Sequence, residues 1–193
     1  MSIYTIRYKS TNYYLIDTGN GLLAFDAGWP GTYKHYKELL KYHGFTVDNI
    51  KWLIVSHFHI DHAGLAGILT DKGVRFCIFA NQLYAINEME ALIERKNMEY
   101  YKLDLSKAII LKTEDSRELL KTIGIEGEVI QVNGHGEQSV ALLLDSGDAF
   151  IGDLAPEHMI GEDDKLSKAD WQVLRSKGAK FIKPAHAGEY AIE

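Results

Sequence analysis

His57-Phe58-His59-Ile60-Asp61-His62 brings three imidazoles and one carboxylate together within six residues, directly after the apolar, strand-like run 51–55. Imidazole nitrogen and carboxylate oxygen are donors that Zn²⁺ takes, and a turn can aim alternate side chains at two neighbouring points. The spacing therefore lets His57 and His59 face one ion and Asp61 and His62 another. Chance produces such a pattern in fewer than about one in a thousand chains of this kind, so solvated or core histidines explain it poorly.

Upstream of the cluster, residues 3–8, 12–17 and 22–26 alternate or run apolar, and Asn20-Gly21 is a tight-hairpin signal. The chain is expected to open as a β-meander. Residues 32–43 change to helical period, with Tyr36, Leu39, Leu40 and His43 on one face and Gly44 as the cap. Downstream, the small and apolar residues 63–69 suit a short buried helix that starts at the cluster, its glycines allowing close approach to a sheet. A strand at 75–79, an amphipathic helix at 82–95 and a strand at 108–111 follow, while 97–105 has no period and reads as a loop flanking the cleft. The second half is expected to hold strands near 127–132, 139–144, 148–152 and 180–183 with a helix at 168–176. Two β-rich halves, each closing with a helix and a strand, predict two packed sheets with helices outside. No linker divides them, so residues 1–193 read as one domain.

Composition narrows the function classes. Apolar residues make up 46% and charged residues 25%, enough for a sizeable core. With 21 basic against 27 acidic residues the net charge is -6, and no basic run exceeds two, which argues against a nucleic-acid partner and for a small-molecule substrate. The N-terminus alternates like a strand rather than a signal peptide, and no stretch approaches the length of a membrane span, so a cytoplasmic protein without a membrane partner is expected. Cys77, the only cysteine, lies in the apolar run 75–79 and reads as a buried, inert thiol.

One cluster cannot close two metal sites, so further ligands are expected at strand ends, where a sheet holds them rigidly. Three residues meet that description: His135 after the run 129–134, Asp153 after 149–152, and His186 after 181–185. Among the other histidines, His35 and His43 fall on the first helix, and His43 reads as a cap. His158 reads as a loop residue, with contact to substrate as the alternative.

The set H-x-H-x-D-H, Gly134-His135, Gly152-Asp153 and Ala185-His186, preceded by Asp26-Ala27-Gly28, resembles the metallo-β-lactamase superfamily in all five motifs and their order. The resemblance implies an α/β fold, a four-layer αββα sandwich of two mixed β-sheets, as one metallo-β-lactamase-like domain. It implies His57, His59 and His135 on a first metal, Asp61, His62 and His186 on a second, and Asp153 bridging both. Asp26 would orient ligands and the site loop, against the alternative of a turn-forming aspartate.

Two departures stand out. Gly136-Glu137-Gln138-Ser139 replaces the Thr-Pro-Gly-Ser type of turn found in many hydrolases of the superfamily, which changes the surface beside the third histidine. Asp153 stands where a cysteine is expected in β-lactamases of the superfamily, and Cys77 is far from it, so antibiotic hydrolysis is not the expected native role. His59 occupies the place of a glutamate in flavodiiron relatives and favours hydrolysis over redox chemistry. Only seven residues follow His186, too few for the helical C-terminal domain of glyoxalase II.

The resemblance thus implies a binuclear zinc hydrolase, with iron or manganese as other possible metals. A hydroxide held between two zinc ions would cleave an ester, thioester, lactone or similar bond, with Asp61 carrying the proton. One alternative is a mononuclear iron persulfide dioxygenase using His57, His135 and Asp153; another is a non-catalytic metal-dependent binding protein.

Overall fold

The computed structural model describes residues 1–192. Strands β1 (Ile3–Tyr8), β2 (Thr11–Asp17) and β3 (Leu22–Phe25) form the antiparallel meander expected from their alternation. Helix α1 (Tyr33–Tyr42) then crosses over to β4 (Ile50–Ile54), which runs parallel to β3. Two short helices, α2 (Ile60–Ala63) and α3 (Ala66–Asp71), lead to β5 (Arg75–Phe79), and α4 (Leu83–Arg95) leads to β6 (Ile109–Leu111). The first sheet is therefore mixed, in the order β1-β2-β3-β4-β5-β6.

Helix α5 (Ser116–Thr122) precedes β7 (Gly127–Val132), β8 (Ser139–Leu144) and β9 (Asp148–Gly152). After α6 (Lys165–Ser176) come β10 (Phe181–Pro184) and the short β11 (Tyr190–Ala191). The second sheet has the order β11-β10-β9-β8-β7, with only β9 and β10 parallel.

Strand periodicity of two sorts the apolar side chains into layers. In β2, Tyr13 and Leu15 face α1, α3 and α4, where they meet Tyr36, Leu40, Leu69, Ile86 and Met89. Their neighbours Tyr14 and Ile16 face the second sheet, joining Phe25, Ile54 and Phe79 against Val140, Leu142 and Phe150. The far side of the second sheet, with Val132, Leu143, Ile151 and Ile182, packs on Trp171 and Leu174 of α6. Three apolar layers separate four layers of secondary structure, which is the expected αββα sandwich of two mixed sheets.

Three local expectations need correction. The helix expected at 63–69 is broken into α2 and α3 at Gly64-Leu65, and its glycines do not approach a sheet. A Cβ on Gly64 would collide with Pro30, and one on Gly67 with the carbonyl of Tyr101, so both serve close contact with loops. Residues 97–104 are not helical, but instead of flanking the cleft they pack Met98, Tyr100 and Leu103 on the outer apolar layer, with Leu103 N–H donating to Glu90 at 3.0 Å, before a 3-10 turn opens at Leu105. Helix α5 has no counterpart in the expected pattern, because two buried positions, Ser116 and Leu120, give little period to detect. It is not an outer helix: Leu120 belongs to the layer between the sheets.

Cys77 is buried there, and burial pushes its thiol up to about 12. Among the described residues no helix is long and apolar enough to cross a membrane.

Candidate metal centre

Seven residues from four segments, 57–62, 135, 153 and 186, meet where strands of both sheets end. His57 follows β4, His135 follows β7, Asp153 follows β9 directly and His186 follows β10, so each stands just past a strand's C-terminal end. His59 is the N-cap of α2, whose single turn carries Asp61 and His62. Rigid strands ending at one edge hold side chains on short tethers, which is the way a fold fixes a constellation of donors.

The donors form two groups. Ligand-capable atoms of His57, His59, His135 and Asp153 all lie within 4.8 Å of one another, and those of Asp61, His62 and His186 do the same. Asp153 joins them. Its Oδ2 is 3.6 Å from Nε2 of both His57 and His135, while its Oδ1 is 3.2 Å from His62 Nε2 and 3.1 Å from His186 Nε2. Asp61 Oδ2 stands 3.4 Å from Nε2 of His62 and of His186.

Ring orientation comes from partners on the opposite nitrogen. Asp26 follows β3 in the left-handed region, at φ 68°, which turns its carboxylate inward. Its Oδ1 accepts the Ser56 backbone N–H at 2.6 Å, and its Oδ2 lies 2.9 Å from His62 Nδ1 and accepts Ser56 Oγ–H at 3.0 Å. Ser56 Oγ in turn is 2.9 Å from His57 Nδ1, and the Ser10 carbonyl is 3.0 Å from His186 Nδ1. With Nδ1 engaged, Nε2 of each of these rings is left to face the others. Thr11 Oγ–H donates to Asp61 Oδ2 at 2.9 Å.

The loops are tied from outside as well. Asp170 of α6 accepts the backbone N–H groups of Asn133 and Gly134, both at 2.7 Å, and so anchors the turn that carries His135. Gln138, in the segment that departs from the superfamily turn, accepts the Phe58 N–H at 2.8 Å and links the His135 loop to the His57–His62 segment. Gln82 donates to the Val55 carbonyl at 3.0 Å. Gly152 must lack a side chain: at φ 55° its Cβ would lie 2.5 Å from Ser56 Cβ. Sequence reading missed Ser56, Gln82, Gln138 and Asp170. For Ser56, Gln82 and Gln138 the only signal is a polar residue near a strand end, which is common, and Asp170, midway along α6, gives none.

Electrostatics divides the histidines. Burial, followed by the neighbouring imidazoles, holds His57 well below its ordinary value, and burial also lowers His59 and His135. Burial opposes charge on His62 too, but Asp26 and Asp153 outweigh it and raise that group to about 10. Asp153 is pulled below the usual carboxylate range, because the histidines around it outweigh its burial. Three atoms turned into the cluster, His57 Nε2, His62 Nε2 and Asp153 Oδ1, are buried without a hydrogen-bond partner. His158 is exposed, its ring edge-on to Tyr190 at 6.1 Å, and His35 and His43 stand beside Tyr8 and Tyr4 rather than in the cluster.

The metallo-beta-lactamase superfamily model matches residues 7–187, which takes in every residue of both groups. The chain belongs to the metallo-beta-lactamase superfamily. Solved structures agree on the fold. A metallo-beta-lactamase family protein from Thermus thermophilus superposes with a TM-score of 0.76 at 19% identity, over 98% of this chain and 74% of that one. A protein crystallised in a di-iron-bound form gives 0.73 at 20% identity, over 99% and 94%. The native FEZ-1 metallo-beta-lactamase from Legionella gormanii gives 0.72 at 18% identity, over 96% and 77%. Identities this low show a shared metallo-beta-lactamase fold, and the fold alone.

Proposed function

We propose that this chain is a metal-dependent hydrolase with a binuclear site that cleaves an ester, thioester, lactone or similar bond of a small molecule. The observation that carries the reading is the orphaned set His57 Nε2, His62 Nε2 and Asp153 Oδ1. Buried polar atoms almost always have partners, and the atoms of this set converge from two donor groups that share one carboxylate. Nitrogen and carboxylate donors in that number fit first-row divalent ions. His57, His59 and His135 would hold one ion, Asp61, His62 and His186 the other, and Asp153 would offer one oxygen to each. A single ion held by His57, His135 and Asp153 would leave the second convergent donor group, Asp61, His62 and His186, unused, which favours two ions over the mononuclear dioxygenase reading.

When bound, such ions supply Lewis acidity and lower the pKa of water toward neutrality. The protein supplies position and proton traffic. Asp61, held by Thr11, takes a proton from the attacking water and returns it to the leaving group. Asp26 fixes His62 through Nδ1, and Asp153 keeps its charge at the centre of the cluster. Superfamily membership supports hydrolysis, and the nitrogen-rich donor set supports zinc. One similar structure is of a di-iron-bound form, so iron is the competing metal.

The test is turnover by protein reconstituted separately with zinc, iron and manganese, on a panel of esters, thioesters, lactones, phosphodiesters, β-lactams and a persulfide. Hydrolysis of a carbonyl substrate by the zinc form supports the reading. Oxygen uptake with persulfide by the iron form, with no hydrolysis by any form, would replace it.

A further inference from the structure

A groove of about 480 Å³ opens beside the cluster, and His59 and Asp61 belong to its wall. That volume lies in the range of about 300–1,000 Å³ typical of small-molecule pockets. Its floor is Phe58 and Met89, both buried members of the outer apolar layer, and its sides are Trp29, Ile60 and Leu92, which are half-buried. Fixed apolar walls that meet ligand-capable side chains define a place where part of a substrate leaves water as its reactive bond reaches the cluster.

Charge narrows what can enter. The lining contains no lysine or arginine; its acidic members are Asp61 and the exposed Glu88 of α4. Away from the metal cluster an anionic substituent would find no lysine or arginine in the lining and would face exposed Glu88, while an uncharged chain would lose apolar surface to Phe58, Met89 and Leu92. One cation touches the wall from outside. Lys9 places its ammonium 4.9 Å from the Trp29 ring centroid and 5.5 Å from that of Tyr8, so it is engaged on aromatic faces.

Building on the hydrolase reading, we infer that this groove receives an uncharged apolar arm of the substrate, and that it discriminates against arms ending in a carboxylate or other anion. Phe58, Met89 and Leu92 provide affinity, and Glu88 provides the charge discrimination. The class is that of esters, thioesters or lactones carrying an alkyl or aryl substituent.

The experiment uses the metal-loaded protein and two homologous series of neutral esters, one lengthened in the acyl arm and one in the alcohol arm. In at least one series kcat/KM should rise about two- to fourfold per methylene until the groove is filled. An ω-carboxylate on that arm should lower kcat/KM at least tenfold, and Glu88→Lys, an exposed change, should recover most of that loss. Lys9→Ala should leave the preference unaltered. Flat series, or preference for the anionic arm that disappears in Lys9→Ala, would overturn the inference while leaving hydrolysis standing. Absence of turnover of esters and of the matching thioesters and lactones would instead count against the hydrolase reading. The groove is then judged by calorimetry with non-hydrolysable straight-chain 2-alkanones: affinity rising with chain length supports it, and unchanging affinity refutes it.

Discussion

Asp26 Oδ2 lies 2.9 Å from Nδ1 of His62, while Oδ1 of the same carboxylate accepts the Ser56 backbone N–H at 2.6 Å. One side chain thereby orients a ring in the cluster and fixes the chain where it leaves β4. Replacement by alanine removes both contacts from a buried site. Asp26→Ala is expected to weaken metal binding about 10- to 100-fold, measured by chelator competition. Unchanged affinity would show that Asp26 serves only the turn.

Asp170 does similar work from the opposite side of the second sheet. It is buried, and its carboxylate accepts two backbone N–H groups next to His135. Asp170→Ala should destabilise the metal-free protein by about 1–3 kcal/mol, since charge-assisted bonds are lost and two partly buried donors are left unpaired. Urea unfolding in chelator measures this, and a loss below about 0.5 kcal/mol, the level of an ordinary surface substitution, would contradict it.

Gly152 precedes Asp153 with φ 55°, against the Ser56 side chain. Gly152→Ala should shift both Ser56 and the carboxylate that joins the two groups. The expected outcome is reduced metal stoichiometry in a protein that still gives a folded circular dichroism spectrum. Full stoichiometry would show that the strand end can relax around a methyl group.

The metal-free protein should have its greatest stability near neutral pH, and the signs follow from the histidines. His57, His59 and His135 have folded values below their unfolded ones, so the stability they contribute is present above about pH 6.5 and is lost as pH falls. His62 is the reverse: with a folded value raised to about 10, its contribution is full below about 6.5 and is gone above about 10. Thermal unfolding in chelator across pH 5–11 tests this. A midpoint that climbs steadily through the alkaline range would contradict the paired His62.

The residues that converge on the cluster were legible in the sequence because chemistry restricts the candidates: few side chains can bind divalent ions, and these stand in tight spacing or just after apolar strands. The two sheets were legible for the same reason, since alternation in β2 sends Tyr13 and Leu15 one way and Tyr14 and Ile16 the other. What escaped depends on tertiary proximity. Asp170 is 37 residues from Asn133 in sequence and reaches that turn only through helix packing, and Gln138 acts on Phe58 from 80 residues away. Gly64 and Gly67 advertised a close approach without naming the partner, and the partners proved to be loops. Residues 97–105 lack any period and read as a loop flanking the cleft, yet Tyr100 packs on the outer apolar layer.

Two ions held side by side with Asp153 between them are what the whole reading of the site requires. Anomalous X-ray scattering from crystals of the metal-loaded protein, recorded on either side of the metal edge, locates such ions without reference to any substrate. Two peaks are expected, one among His57, His59 and His135 and one among Asp61, His62 and His186, with an Asp153 oxygen toward each. A single peak in fully loaded protein, or peaks away from these residues, would contradict the binuclear site.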